Sequence, residues 1–472
     1  METVDVAALR GGLAGAVLLP GEAGYEQART VWNAMVDRRP AAIVRCATAA
    51  EVAAAVRFAR AQDLEIGVRC GGHSVAGMSV PDGGLMLDLT PMAAVRVDPD
   101  QRRAWVRGGA LLGALDRASQ PFGLATTAGN VSHTGVGGLT LGGGMGWLAR
   151  QHGLTCDNVV SFEVVTADGD LVRATESEHP DLFWGLRGGG GNFGVVTDFE
   201  FRLHHIGTAA LVAELYYPAP DAAPAMRVWR DLIPRAPRRA TFTAWIGTAG
   251  AWSFLPPALH HRSVVSVGLV WVGDLAEGRE QLAALRAALP AAGAAPVARI
   301  REMSYLELQT MDDDREGHHQ RRYWKGHYLR TLDDAAIDAF VSRGVAADRD
   351  ELPVLPAASL QAYGGAIADV GDDETAFAQR DALVEFVASA AWIDPDEDAI
   401  RITAARRYGA AIEPFASGAY VNALTDEGEQ GVRRAYGAAK LARLRAVKRR
   451  YDPDNVFHLN HNISPQETER AE

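Results

Sequence analysis

Glycine punctuates the stretch from about residue 40 to 207 in a way that few folds accommodate. Clusters fall at Gly71–Gly72, Gly135–Gly138, Gly142–Gly146 and Gly188–Gly194. A flexible linker would carry serine and other polar residues between its glycines, but these are interleaved with Val136, Leu139, Leu141, Met145, Trp147, Phe193 and Val195. Such a pattern calls for main chain lying close against another body, because only glycine lets the backbone approach so near. A large buried ligand is the occupant expected. Between the clusters, short β patterns alternate with helices. A helix is predicted over Glu51–Gln62, strands at Leu64–Val68, Leu85–Leu89 and Ala104–Val106, and a helix around Leu111–Ser119. Asn158–Thr166 and Leu171–Ala174 then flank the turn Ala167-Asp168-Gly169-Asp170 as a hairpin. The class is α+β.

One cluster carries a reactive side chain. Arg69-Cys70-Gly71-Gly72-His73-Ser74 directly follows the apolar run Leu64–Val68. Its turn leaves backbone N–H groups free to face an anion and sets one imidazole beside them. Local spacing alone fits a tight turn with a surface histidine equally well. From about 208 to 415 the pattern changes to aromatic strands (Leu211–Tyr217, Thr241–Ile246, Val264–Val272) and alanine-rich helices, which predict a second domain. The segment 416–472 holds a helix over Gly431–Arg450 whose Arg and Lys residues read as a solvated face.

Length and charge narrow the function. A chain of 472 residues exceeds what one core usually supports. A net charge of −12 offers no attraction for nucleic acid or anionic membranes, so neither is an expected partner. Three cysteines, Cys46, Cys70 and Cys156, make no disulfide framework and fit a reducing cytoplasm. No basic start with a long apolar segment marks a secretory signal, which points to a cytoplasmic location. His318 and His319, beside Asp312-Asp313-Asp314, lack the spacing that fixes metal ligands together; a mobile surface loop is expected there, and no metal.

Four motifs in order carry a resemblance. They are Arg69-Cys70-Gly71-Gly72-His73-Ser74, the run Gly135–Gly144, the run Asp181–Thr197 containing Gly188–Gly191-Asn192-Phe193-Gly194, and Tyr451-Asp452-Pro453-Asp454-Asn455 followed by Asn460-His461-Asn462-Ile463. With them the sequence resembles the berberine-bridge-enzyme-like flavoprotein oxidases. These lie within the wider group sharing the vanillyl-alcohol-oxidase and p-cresol-methylhydroxylase type of FAD-binding domain. The resemblance implies a two-part FAD domain (36–207 plus the 416–472 segment returning to it) and a substrate domain, 208–415, whose antiparallel sheet, covered by helices, roofs the flavin. A Rossmann reading is disfavoured, since no early strand-turn-helix carries the glycines with an acid about twenty residues on.

What the resemblance implies for residues follows position by position. The histidine matching His73 is bonded to the flavin 8α-methyl, which keeps the flavin bound and favours hydride withdrawal from substrate. Arg69, Cys70, Gly71, Gly72 and Ser74 would hold the pyrophosphate; Gly137, Gly138, Leu139, Gly143, Gly146 and Trp147 would line adenosine and pyrophosphate, with Val196 on the adenine side. Asn460 and Asn462 would face the flavin and ribityl edge, a capping or turn role being the alternative. Bicovalent relatives add a cysteine to flavin C6; here that position is Val131, followed by Ser132, and Cys156 is expected not to be attached. Thr134 falls where relatives govern oxygen access. On the substrate side Tyr420 is the first candidate for general base and Tyr323 the second, with Lys325, Tyr363 and Asn422 as substrate contacts. The second tyrosine of the family's Tyr-x-Asn-Tyr pattern is Ala423, and an ordinary packing role competes for each tyrosine.

The expected activity is oxidation of an alcohol, an amine or an intermediate of specialised metabolism, with O2 as acceptor. A flavin-dependent oxygenase acting on a polyketide-like metabolite is the second reading. A flavin-binding protein of low turnover is the third.

Overall fold

The computed structural model describes residues 6–12, 15–290, 295–345 and 354–466. Three large sheets and a two-stranded ladder organise them, in the α+β class expected. The first is four-stranded, in the order Val17–Leu18, Ala42–Arg45, Leu85–Asp88, Ile66–Arg69, and its last three strands run parallel. Parallel neighbours need a crossover, and the helix Ala49–Ala61 supplies one, started by a capping box between Thr48 and Glu51. The chain leaves the strand Ile66–Arg69 straight into the Gly71-Gly72-His73 turn. Five antiparallel strands form the second sheet, with Val195–Arg202 between Arg103–Arg107 and Val159–Val165. The predicted hairpin is present as Val159–Val165 paired with Leu171–Ala174.

The third sheet has seven antiparallel strands, in the order Val297–Ser304, Ala209–Pro218, Ser263–Val272, Ala240–Thr248, Ala357–Ala362, Val384–Trp392, Arg321–Leu329. Alternate side chains share a face, so the register fixes which residues meet. Leu211, Leu215, Phe242, Ile246, Val267, Leu269 and Phe386 form an apolar core with residues of the covering helices Ala223–Leu232, Leu275–Ala288, Asp334–Ser342 and Asp398–Ile412. On the other face one register row crosses the sheet through Arg299, Glu214, Gly268, Thr243, Gln361 and Glu385. A polar row in mid-sheet belongs to a binding surface rather than to a core.

The C-terminal helix Gly428–Tyr451 begins close to expectation and kinks at Gly437, where φ is +70°. Its basic residues are not all solvated. Lys448 is fully buried; its ammonium donates to Asp452 (2.6 Å) and to the carbonyls of Asn192 (2.8 Å) and Phe457 (2.9 Å). Asp452 in turn accepts from the amides of Val456 and Phe457. Every polar atom of the pair that burial would orphan has a partner, so the pair is tolerated inside and pins the segment after the helix to the Asn192 loop. Among the described residues no helix is long and apolar enough to cross a membrane.

Candidate functional site

The glycine loops and the polar face of the seven-stranded sheet enclose a cavity of about 1240 Å3. That exceeds the ~300–1,000 Å3 of an ordinary small-molecule pocket, and leaves room for a dinucleotide with a second molecule beside it. The loops are zipped together at Gly71 and Gly135. A Cβ on Gly71 would lie 2.4 Å from the Gly135 nitrogen, and one on Gly135 would lie 2.5 Å from Cys70 Sγ, so both positions exclude a side chain. Gly138 and Gly191, also in the wall, have nothing within 4 Å of their Cβ positions and leave main chain bare to the cavity.

His73 is held on three sides. Trp32 stacks on it with ring centres 4.4 Å apart, His133 Nδ1 lies 2.7 Å from its Nε2, and the His318 ring stands edge-on at 6.3 Å. Burial, then the nearby His133, His318 and Arg322 charges, keep its pKa well below the ordinary value. The imidazole is therefore neutral at pH 7, with a lone pair available. His318 stands on an exposed turn, at the surface as expected, and meets the site only through its ring, 5.2 Å from that of His133; its own pKa is also lowered, chiefly by partial burial of the ring. Among the described residues no group of three or more His, Cys, Asp or Glu is arranged to hold a metal.

Of the cofactor residues expected from the sequence, the cavity wall includes Cys70, Gly71, Gly72, His73, Ser74, Val131, Thr134, Gly137, Gly138, Leu139, Trp147, Val196 and Asn460. Four others lie behind it. The Arg69 guanidinium donates to the Ala28 carbonyl. Gly143 makes room for Phe377, and Gly146 for the Ala128 carbonyl, only 1.6 Å from where a Cβ would sit. Asn462 has a buried amide oxygen with no partner among the described residues but is not part of the wall. Cys156 is buried outside the wall, its thiol pushed well up, chiefly by burial and then by Asp157.

On the substrate side, Tyr420 and Asn422 reach the cavity, whereas Tyr323, Lys325 and Tyr363 do not. Strand alternation explains the first two misses: Arg322 and Trp324 of the strand Arg321–Leu329 face the cavity, so their neighbours face away. Tyr323 donates to Asp426 (2.8 Å) and accepts from Arg406 (2.9 Å), and Lys325 pairs with Asp426 and Glu427. Burial leads in raising the Tyr323 pKa, so Lys325 does not produce a tyrosinate there. Tyr363 is buried beneath the wall between the Tyr328 hydroxyl (3.0 Å) and Glu385 Oε2 (3.2 Å).

Tyr420 accepts hydrogen bonds from the Gly144 amide (3.1 Å) and from Asn422 Nδ2 (3.0 Å). Burial, followed by the Glu385 charge, nevertheless holds its pKa above the ordinary phenol value. Glu385 itself escaped the sequence reading. It lines the cavity at 8% exposure, accepts from Tyr363, and burial pushes its carboxyl up to about 7. Its signal was a lone acid in the otherwise apolar run Val384-Glu385-Phe386-Val387. Trp32 and His133 were also missed, since neither belongs to a glycine motif or a substrate-sheet pattern.

The wall fits a flavin dinucleotide. It carries bare main chain at Gly138 and Gly191, and buried polar atoms without partners among the described residues: Asn130 Oδ1, Trp147 Nε1, Gln361 Nε2 and Asn460 Oδ1. Such orphans are costly unless a ligand satisfies them.

Comparison with known proteins adds independent findings. Residues 40–175 match an FAD binding domain, and residues 419–464 match the family described as berberine and berberine like. An FAD-linked oxidoreductase of Bacillus subtilis, YgaK, is 30% identical over 460 residues, covering 96% of this chain and 97% of the relative. (R)-6-hydroxynicotine oxidase of Paenarthrobacter nicotinovorans is 28% identical over 470 residues, covering 96% and 97%. Among solved structures, the glucooligosaccharide oxidase of Acremonium strictum, with a 6-S-cysteinyl, 8α-N1-histidyl FAD, superposes with a TM-score of 0.86 at 25% identity, covering 98% of this chain and 99% of that one.

Proposed function

The chain belongs to the berberine-like FAD-linked oxidoreductases, and from that premise we propose that it oxidises a small organic molecule beside a flavin attached through His73 alone. The carrying observation is a single cavity whose wall includes both the caged, neutral His73 and the near-neutral carboxyl of Glu385. Bound there, FAD supplies a two-electron acceptor for substrate hydride, and O2 carries the electrons off as hydrogen peroxide. In this reading residues 36–207 and 416–472 form the cofactor part and 208–415 the substrate part. All three cysteines are free, which suits a cytoplasmic enzyme.

The residues divide the work. Main chain at Gly71, Gly72, Gly137 and Gly138 would hold the pyrophosphate, and Asn460 Oδ1 and Trp147 Nε1 would find their partners on the cofactor. Glu385 accepts the proton that a substrate hydroxyl or amine gives up, because its pKa near 7 matches a base to working pH. Tyr420, too weak an acid to serve as that base, holds the substrate's polar atom through a hydroxyl fixed by Gly144 and Asn422. Val131 offers no thiol at the C6 position, and the buried Cys156 is out of reach. The relatives named above act on a hydroxynicotine and on glucooligosaccharides, which supports an amine or alcohol donor.

Thr134 keeps a second reading open. Its place in the wall, at the position that the resemblance gives to oxygen access, supports a hydroxyl acting on O2, as a flavin-dependent oxygenase of polyketide-like metabolites would use it. Anaerobic mixing with a panel of alcohols, amines and polyketide-like aromatics tests both. Bleaching of the flavin followed by peroxide release in air supports the oxidase, and heavy oxygen in the product selects the oxygenase. A flavin that no member bleaches would favour a binding protein of low turnover.

A further inference from the structure

His73 has two ring nitrogens, and the geometry commits one of them. His133 Nδ1 lies 2.7 Å from His73 Nε2, while His133 Nε2 points to the Asp313 carbonyl at 3.5 Å. A carbonyl only accepts, so His133 carries its proton on Nε2 and presents the Nδ1 lone pair; His73 must then donate from its own Nε2. Among the described residues His73 Nδ1 has no hydrogen-bond partner. The His133 loop is clamped in turn, since Asp313 takes the Ser132 amide (2.8 Å) on one carboxylate oxygen and the Ser132 hydroxyl (2.6 Å) on the other. Asp313 follows the helix Tyr305–Thr310 of the substrate part, so one part of the chain sets the tautomer of a histidine in the other.

We propose that His133 is the positioning residue for flavin attachment: it holds His73 as the Nε2–H tautomer and leaves Nδ1 as the nucleophilic nitrogen. The inference deepens the function proposed above and rests on its covalent link through His73. Attachment forms one bond, from His73 Nδ1 to the flavin 8α carbon, and breaks one 8α C–H bond. The electron pair of that C–H bond reduces the ring system, and O2 takes the two electrons with two protons to give hydrogen peroxide. The alkylated imidazole is left with a surplus proton on Nε2, and His133 Nδ1 stands in line to receive it. Trp32, stacked on the ring, fixes the plane in which this takes place.

The test follows covalent incorporation in time. Flavin-free full-length protein is mixed with FAD in air, and samples are acid-precipitated and read for flavin fluorescence on the polypeptide. Total bound flavin before precipitation is measured alongside. His133→Ala should bind FAD stoichiometrically yet attach it about tenfold more slowly or worse. His133→Asn, whose amide oxygen can accept from His73 Nε2, should recover most of the rate. Attachment by His133→Ala at the wild-type rate overturns the proposal, as do equal losses in the Ala and Asn variants, which would assign His133 to shape alone. Failure of both variants to bind FAD assigns it to cofactor binding and also overturns the proposal. Wild-type flavin that acid fully extracts instead refutes the covalent reading beneath it.

Discussion

Glu385→Gln separates charge from shape at the cavity wall. Glutamine keeps an acceptor for the Tyr363 hydroxyl and the volume of the side chain, but takes up no proton. If Glu385 is the base, flavin reduction by any substrate that bleaches it slows by roughly 10²–10⁴-fold in the variant. The wild-type rate rises with pH through about 7 as the carboxyl ionises, and the variant's rate does not. Stability moves the other way. The folded pKa, about 7, lies above the ordinary 4.5, so the folded state binds the extra proton between the two. The stabilisation is full below about 4.5 and lost as pH rises through about 7. At ~1.4 kcal/mol per pH unit the displacement is worth about 3 kcal/mol. Glu385→Gln should therefore match wild type near pH 4 and exceed it by up to about 3 kcal/mol at about pH 8. Stopped-flow reduction under anaerobic conditions and denaturant midpoints across pH measure the two effects. A wild-type reduction rate flat from about pH 6 to 8, with the variant within a factor of a few, refutes the base assignment.

Other outcomes follow from the same geometry. Wild-type protein should stay yellow through acid precipitation while His73→Ala releases all its flavin, as mass measurement of the His73 peptide would report; flavin on the Cys156 peptide would refute attachment through His73 alone. Tyr420→Phe removes the acceptor of the Gly144 and Asn422 hydrogen bonds and should slow reduction about tenfold with the flavin spectrum intact, whereas Tyr323→Phe, facing away from the cavity, should leave reduction unchanged and cost about 1 kcal/mol of stability. Equal effects from the two would return the base role to the tyrosines. Thr134→Val should change flavin reoxidation, or the share of oxygen placed in product, more than it changes flavin reduction; a variant altered only in reduction would remove Thr134 from the oxygen step.

Local pattern made much of this legible. The Gly71 and Gly135 loops announced themselves because a backbone contact leaves no substitute for glycine, and the strands of both antiparallel sheets follow their apolar alternation. The errors have physical causes. Tyr323 and Lys325 were carried over from the resemblance onto one strand, where a shift of one residue exchanges cavity for exterior; the pair that lines the cavity, Arg322 and Trp324, stood beside them. Glu385 reaches importance only through the register that aligns it with Gln361 and Thr243. Trp32, His133 and His318 meet His73 from three separate segments, and such long-range convergence leaves no local trace. Lys440 and Lys448 were hidden by their basic neighbours, which gave no hint that two lysines of the helix point inward.

The anchorage of Asn460 and His461 beside the Asn192 loop also sets an order of events during synthesis. The cavity wall joins Trp32 and Cys70, made early, to His461, made late, and the Lys448–Asp452 pair that locks the late segment in place cannot form before both residues have left the ribosome. A nascent chain holding only the first sheet presents the Gly71 turn to solvent with no lid above it. The cavity wall is therefore incomplete until the segment through His461 has been made and has folded back against the Asn192 loop.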